Sequence, residues 1–172
     1  MIFVTVGTQL GFDRLVRAVD EWAARNPGAH LFGQIGSGRY RPLHFESRPW
    51  LTPGESDRAF SDAELIVAHA GMGSILTALR FRKPIIIVPR SAASGEHRND
   101  HQLATATRLE GRPGIFPLSD TRLLGVTLDR RSLLPAGEAL GEFADESVLA
   151  RLRDYLREQR FAEGSLRPPY LE

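Results

Sequence analysis

Short apolar runs that end in glycine or proline constrain this chain more than any other feature. Ile2–Val6 stops at Gly7, Leu65–Ala68 runs into His69 and Gly71, and Ile85–Val88 is closed by Pro89. Runs this short, rich in Ile and Val, read as strands rather than helices. They offer no polar face to water, so both faces must be covered, which is the habit of parallel sheets flanked by helices. The intervening segments carry the helical period. Phe12, Leu15, Val16, Val19, Trp22 and Ala23 recur at three- and four-residue steps before Asn26-Pro27-Gly28. Further strands are expected at Leu31–Ile35, Leu43–Phe45 and Gly114–Phe116, and helices at Ser56–Phe60 and Asn99–Leu109. Ile75, Leu76 and Leu79 suggest the core face of another helix, ending before Pro84, and Val148, Leu149, Leu152, Tyr155 and Leu156 a final one. Residues 118–140 give no clear pattern. The alternation predicts an α/β fold, a mostly parallel sheet with helices on both faces. One domain is expected over residues 1–163, with 164–172 a loose tail containing Pro168-Pro169.

Composition narrows the function classes. The chain has 172 residues, room for one domain of ordinary size. Lys+Arg is 22 against Asp+Glu 21, a net charge of +1 that makes no general electrostatic case for nucleic acid. With Cys 0 there is no disulfide, thiolate metal site or cysteine nucleophile. No apolar run approaches the ~18 residues of a membrane span. Ile2–Val6 has no basic segment before it and no long apolar core after it, unlike a signal peptide. The expected location is cytoplasmic.

In open parallel sheets, ligands bind outside the carboxyl ends of the strands, so the loops there carry the chemistry. After the first strand, Gly7 permits close backbone approach and Thr8 offers a hydroxyl and a helix cap, although a plain turn would explain both. Gly36-Ser37-Gly38 follows the second strand but lacks the dinucleotide fingerprint, since position 41 is Arg. His69-Ala70-Gly71-Met72-Gly73-Ser74 joins a strand to a helix. Free N–H groups and the helix dipole there favour a phosphate or diphosphate. Gly95-Glu96-His97-Arg98-Asn99-Asp100-His101-Gln102 follows the strand at Ile85–Val88. A helix cap accounts for Asn99 or Asp100, but not for Glu96, His97, His101 and Gln102 together. Hydroxyl or phosphate recognition fits that set. A metal on His97, Asp100 and His101 is the competing reading, without the H-E-x-x-H spacing.

Four segments also carry a family resemblance: V-T-V-G-T at Val4–Thr8, H-A-G-M-G-S-I-L-T-A-L at His69–Leu79, Lys83-Pro84, and G-E-H-R-N-D-H-Q at Gly95–Gln102. Their order and spacing resemble the glycosyltransferase family 28 C-terminal domain, and within it the stand-alone donor-binding subunits of two-subunit lipid-linked sugar transferases, including exopolysaccharide and capsule types. The resemblance covers residues 1–109. It implies a Rossmann-like domain, the C-terminal half of a GT-B glycosyltransferase, binding a nucleotide-sugar that is usually UDP-linked. It also implies a separate membrane-associated subunit that supplies much of the acceptor site, for a lipid-linked acceptor. The chain would then sit peripherally at the cytoplasmic membrane face through that partner. Carried over, Gly7, Thr8, His69, Gly71, Met72, Gly73 and Ser74 face the nucleotide diphosphate. Glu96, His97, Asp100, His101 and Gln102 meet the sugar, and Phe45 lies near the base. No metal or other cofactor is implied, and no catalytic base is assigned. One position departs: the family places a ribose-binding Glu where this chain has Thr77. Thr cannot accept two hydroxyls as a carboxylate does. That departure keeps a second reading open, a nucleotide-sugar-binding or regulatory module without transfer activity. Arg151, Arg153, Arg157 and Arg160 give the last helix a basic face, for solvent, a partner or anionic lipid.

Overall fold

In the computed structural model, residues 1–137 and Ala150 are described, and all the elements below lie in one compact unit, Met1–Leu140. The expected helix at Val148–Leu156 with its arginines, the boundary at 163 and the tail lie outside the described residues. Six strands, β1 (Ile2–Thr5), β2 (Leu31–Gln34), β3 (Glu46–Arg48), β4 (Leu65–His69), β5 (Ile85–Val88) and β6 (Ile115–Pro117), form one parallel sheet in the order β3-β2-β1-β4-β5-β6. Five helices connect or follow them: α1 (Asp13–Arg25), α2 (Pro53–Asp62), α3 (Met72–Arg80), α4 (His101–Arg108) and α5 (Leu124–Asp129).

The apolar runs are buried on both faces, as their composition requires. Ile2, Val4 and Val6 point into a core with Leu15, Val16, Val19 and Trp22 of α1 and Leu124 and Leu128 of α5. Phe3, between them in sequence, points the other way, to a core with Ala59 and Phe60 of α2, Ile75 and Ala78 of α3, and Ala106 of α4. The order reverses between β1 and β4. The loops leaving those two strands diverge to opposite sides, so a crevice opens at their carboxyl ends.

Three expectations are corrected. The third strand is Glu46–Arg48, not Leu43–Phe45. The N–H groups of Leu43 and His44 donate to the buried Asp20 carboxylate at 2.8–3.1 Å, which takes them out of any ladder, and Leu43 is 83% exposed. In α3 the fully buried positions are Ile75 and Ala78, while Leu76 is 46% exposed, because the inward stripe steps by three from Ile75 and passes Leu76 by. The helix expected at Ser56–Phe60 starts earlier, at Pro53. Thr52 and Glu55 form a capping box, with proline at the first turn. The unpatterned stretch after Leu118 contains α5 and two short 3₁₀ turns, Thr121–Leu123 and Arg131–Leu133. Among the described residues no helix is long and apolar enough to cross a membrane.

Candidate functional site

A cleft of about 640 Å³ opens at the carboxyl ends of β1, β4 and β5, at the point of strand reversal. Its centre is built around His69, the last residue of β4. Gly7 (φ +75°) and Gly71 both lie against the imidazole. A Cβ on Gly7 would stand 2.5 Å from Nε2, and one on Gly71 2.0 Å from Cε1. Both glycines are therefore needed to seat the ring, in addition to any ligand they admit.

Gln102 fixes the state of that ring. Its Oε1 accepts from the Arg90 N–H at 3.1 Å, which leaves its amide NH₂ to face His69 Nδ1 at 3.3 Å. Nδ1 is thereby the acceptor and Nε2 carries the proton. Nε2 lies 3.4 Å from the Ser74 hydroxyl at the start of α3. Burial, then the charge of Arg90, hold the His69 pKa down to about 4, so the ring is a neutral donor at pH 7.

The start of α3 is open to an anion. Gly71 is its N-cap and supplies no side-chain acceptor, and the first turn has no acidic residue. The N–H groups of Met72, Gly73 and Ser74 precede the first helical hydrogen bond, from Ile75 N–H to Gly71 O. Their N–H dipoles give this end a partial positive charge. Arg90, 3% exposed, also lines the cleft, and its Nη2 donates to Val6 O at 2.7 Å and Leu10 O at 2.6 Å. It ties the loop after β1 to the loop after β5. Its Nε is buried without a partner. Burial lowers the pKa of this guanidinium, but from a value so high that it stays charged.

The family model for the glycosyltransferase family 28 C-terminal domain matches residues 1–112. The chain belongs to this family. Its fold is the Rossmann-like C-terminal half of a GT-B glycosyltransferase. The UDP-N-acetylglucosamine transferase subunit ALG13 of Mus musculus is 30% identical over 127 residues, covering 66% of this chain and 10% of that protein. The UDP-N-acetylglucosamine--N-acetylmuramyl-(pentapeptide) pyrophosphoryl-undecaprenol N-acetylglucosamine transferase of Chlorobium luteolum is 28% identical over 124 residues, covering 66% of this chain and 33% of that protein. This chain thus spans a minor part of the curated relatives it matches. The NMR solution structure of ALG13 has a TM-score of 0.56 at 19% identity, covering 88% of this chain and 93% of that one, a likeness of fold.

Within this family 28 domain, the residues singled out from sequence divide into two groups. Gly7, Thr8, His69, Gly71, Gly73, Ser74, His97, His101 and Gln102 line the cleft. The rings of His97 and His101 stand edge to face with centroids 4.5 Å apart, and His101 Nδ1 contacts the Asn99 side chain. Met72, Glu96 and Asp100 do not line it. Met72 is 47% exposed on the outer side of α3. Glu96 is held by Arg14 of α1, through Nε at 2.7 Å and Nη2 at 2.8 Å, and also accepts from the Ser91 N–H. Asp100 accepts from the Ala92 N–H at 2.8 Å. Both carboxylates brace the loop of residues 91–99. Phe45 packs over Gly33 on the core, away from the cleft. No three His, Asp or Glu side chains converge as a ligand set among the described residues.

Arg90 is not apparent from the sequence. Its signal is a single basic residue directly after Pro89, at the end of a buried strand, where the strand-end rule already points. Gln34 also lines the cleft, and both ends of its amide are spent on the backbone, Gly7 O at 3.0 Å and Leu51 N–H at 3.2 Å.

Proposed function

We propose that this domain binds the donor in a glycosyltransferase reaction, an NDP-sugar that is UDP-linked. Transfer goes to a lipid-linked acceptor in exopolysaccharide or glycolipid synthesis, with a membrane-associated subunit supplying the acceptor site. The observation that carries this reading is the uncapped start of α3, lining one cleft with neutral His69 and buried Arg90. That arrangement suits a diphosphate, and the names of the two relatives above refer to UDP-N-acetylglucosamine transfer.

In an inverting transfer the acceptor hydroxyl oxygen attacks the anomeric carbon, and the bond from that carbon to the diphosphate oxygen breaks. The electron pair leaves on the diphosphate, and the hydroxyl proton passes to a base. The N–H groups of Met72, Gly73 and Ser74, with His69 Nε2–H, stabilise the charge that develops on the leaving group. Losing one preorganised donor of this kind costs ~3–4 kcal/mol of barrier in well-studied cases. No residue of this chain is assigned as that base. A second reading, a binding module without transfer activity, draws on Thr77 at the position of the family's Glu.

Co-expression with the neighbouring membrane subunit, followed by assay of sugar transfer to a lipid-linked acceptor, separates the two. Transfer that is lost in the double variant His69→Ala, Gln102→Ala supports the enzyme reading. Transfer that survives it overturns the site, and a complex that binds donor without transfer favours the module.

A further inference from the structure

A guanidinium is costly to bury unless its donors are used, and Arg90 is 3% exposed. What it does with its donors is specific. One nitrogen, Nη2, donates to both Val6 O and Leu10 O, the carbonyls that bracket residues 7–9. All three of those residues line the cleft. The near end of this segment has further ties, since Gln34 Nε2 donates to Gly7 O at 3.0 Å and the Gly7 N–H donates to Thr5 Oγ1 at 3.2 Å. The far end, at Leu10, is 41% exposed and is held by Arg90. The guanidinium also lies over the ring of Phe12, its carbon 5.1 Å from the centroid, where α1 begins. The backbone of Arg90 holds a second part of the cleft. Its N–H donates to Gln102 Oε1 at 3.1 Å, and the other end of that amide faces His69.

Both sets of contacts meet at His69. Gly7 stands so close to the ring that a Cβ there would be 2.5 Å from Nε2, so the segment and the ring fix each other's place. We propose that Arg90 is a positioning residue for the ligand site: its guanidinium clamps residues 7–10, its N–H seats Gln102, and together they hold His69 in place before a ligand arrives. The charge of Arg90 also bears on the ring, since burial and then that charge hold the His69 pKa down to about 4. Arginine suits the task because its charged N–H groups make strong bonds to carbonyls and its planar fork loses little freedom in making them. The gain is preorganisation, because a segment already ordered does not have to be ordered by the ligand. Fixing the backbone of even one freed residue costs about tenfold in affinity. The inference rests on the donor-binding reading above, and concerns what builds that site.

The test uses the full chain with two substitutions. Arg90→Met keeps apolar bulk without donors or charge, and Arg90→Lys keeps the charge without the planar fork. The readouts are backbone ¹⁵N order parameters, His69 ring ¹⁵N shifts against pH, and calorimetric titration with UDP. In Arg90→Met the order parameters of residues 7–10 are expected to fall while those of the strands hold. His69 is expected to titrate above its native value of about 4, and UDP to bind about tenfold or more weakly. In Arg90→Lys, His69 is expected to titrate near its native value, while residues 7–10 still loosen and UDP affinity still falls. A loss of stability alone would move neither the order parameters nor the His69 titration. An Arg90→Met variant that melts like the native protein and binds UDP within about threefold of it overturns the proposal. Where Arg90→Met melts early, Arg90→Lys decides, and native order at residues 7–10 with native affinity in that variant overturns it. A native chain that binds no UDP overturns the donor-binding reading instead. The order parameters and the His69 titration need no nucleotide, so they still decide the clamp.

Discussion

Replacing Gln102 by Glu exchanges one amide nitrogen for an oxygen and reverses the logic of the site's centre. In the native protein the Gln102 amide NH₂ faces His69 Nδ1 at 3.3 Å and its oxygen accepts from the Arg90 N–H. Glu keeps the second contact and replaces the donor with an acceptor. His69 Nδ1 must then carry a proton, either as the other neutral tautomer, which strips Nε2 of its hydrogen, or as the imidazolium. Burial holds the native pKa down from 6.5 to about 4. At ~1.36 kcal/mol per unit, that shift is worth ~3 kcal/mol of native stability. The sign follows from proton uptake. Below pH 6.5 the unfolded chain binds a proton that the native ring refuses. The contribution is complete above pH 6.5 and is lost as pH falls from there to about 4. A carboxylate in contact raises the pKa by ~1–3 units, so the acid loss at this residue shrinks to ~2 kcal/mol or less. Ring ¹⁵N and ¹³C shifts of His69 against pH give both tautomer and pKa, and urea unfolding at pH 7 and 5 gives the stability. A native His69 that titrates near 6.5, or a Gln102→Glu variant in which it stays near 4, refutes the reasoning.

Three further outcomes are expected. Gly71→Ala places a Cβ 2.0 Å from His69 Cε1, so the ring must move; calorimetry should show UDP affinity falling tenfold or more, and unchanged affinity would contradict the seating of the ring. Arg14→Ala frees Glu96, and amide hydrogen exchange over residues 91–97 should speed up, at a stability cost of ~1 kcal/mol for a partly exposed bidentate pair, with only partial rescue by Arg14→Lys. Thr52→Ala breaks the capping box of α2 and should lower stability by ~1 kcal/mol, a Tm shift of ~2–4 °C in a thermal melt, without changing nucleotide affinity.

Where hydrophobic pattern alone decides structure, the sequence is legible. Ile85–Val88 has no polar face, so it has to be a central strand, and β5 runs over those same residues. The α1 stripe from Leu15 to Trp22 is equally plain, because one face of a long amphipathic helix repeats several times. Leu43–Phe45 misleads because a buried carboxylate far away in sequence, Asp20, captures its backbone N–H groups. No local pattern announces that. The start of α2 does carry a local signal that its apolar residues do not, since Thr52-Pro53-Gly54-Glu55 is a capping-box sequence.

The loops that line the cleft stand out because glycine, serine and histidine at strand ends have few structural reasons to be there together. What each residue does is less legible. Gly7 and Gly71 read as room for a ligand, and they also make room for the His69 ring. Glu96 shares a loop with His97, yet it turns toward Arg14, a partner in a helix that precedes the loop by more than a third of the chain. Spacing gives no sign of such a pairing. Arg90 hides for the same reason, since its partners are backbone carbonyls of the loop after β1.

The central claim is that a nucleoside diphosphate occupies the cleft where β1 and β4 part. An amide-resolved NMR titration of the full chain with UDP measures this directly. The backbone signals of Thr8, Gly71, Met72, Gly73 and Ser74 and the side-chain amide of Gln102 should shift together and saturate. The separate groove at the start of β4, lined by Glu64, Leu65, Asp129 and Arg131, should not respond. Shifts confined to that groove, or no saturable shift at the start of α3, would contradict the claim.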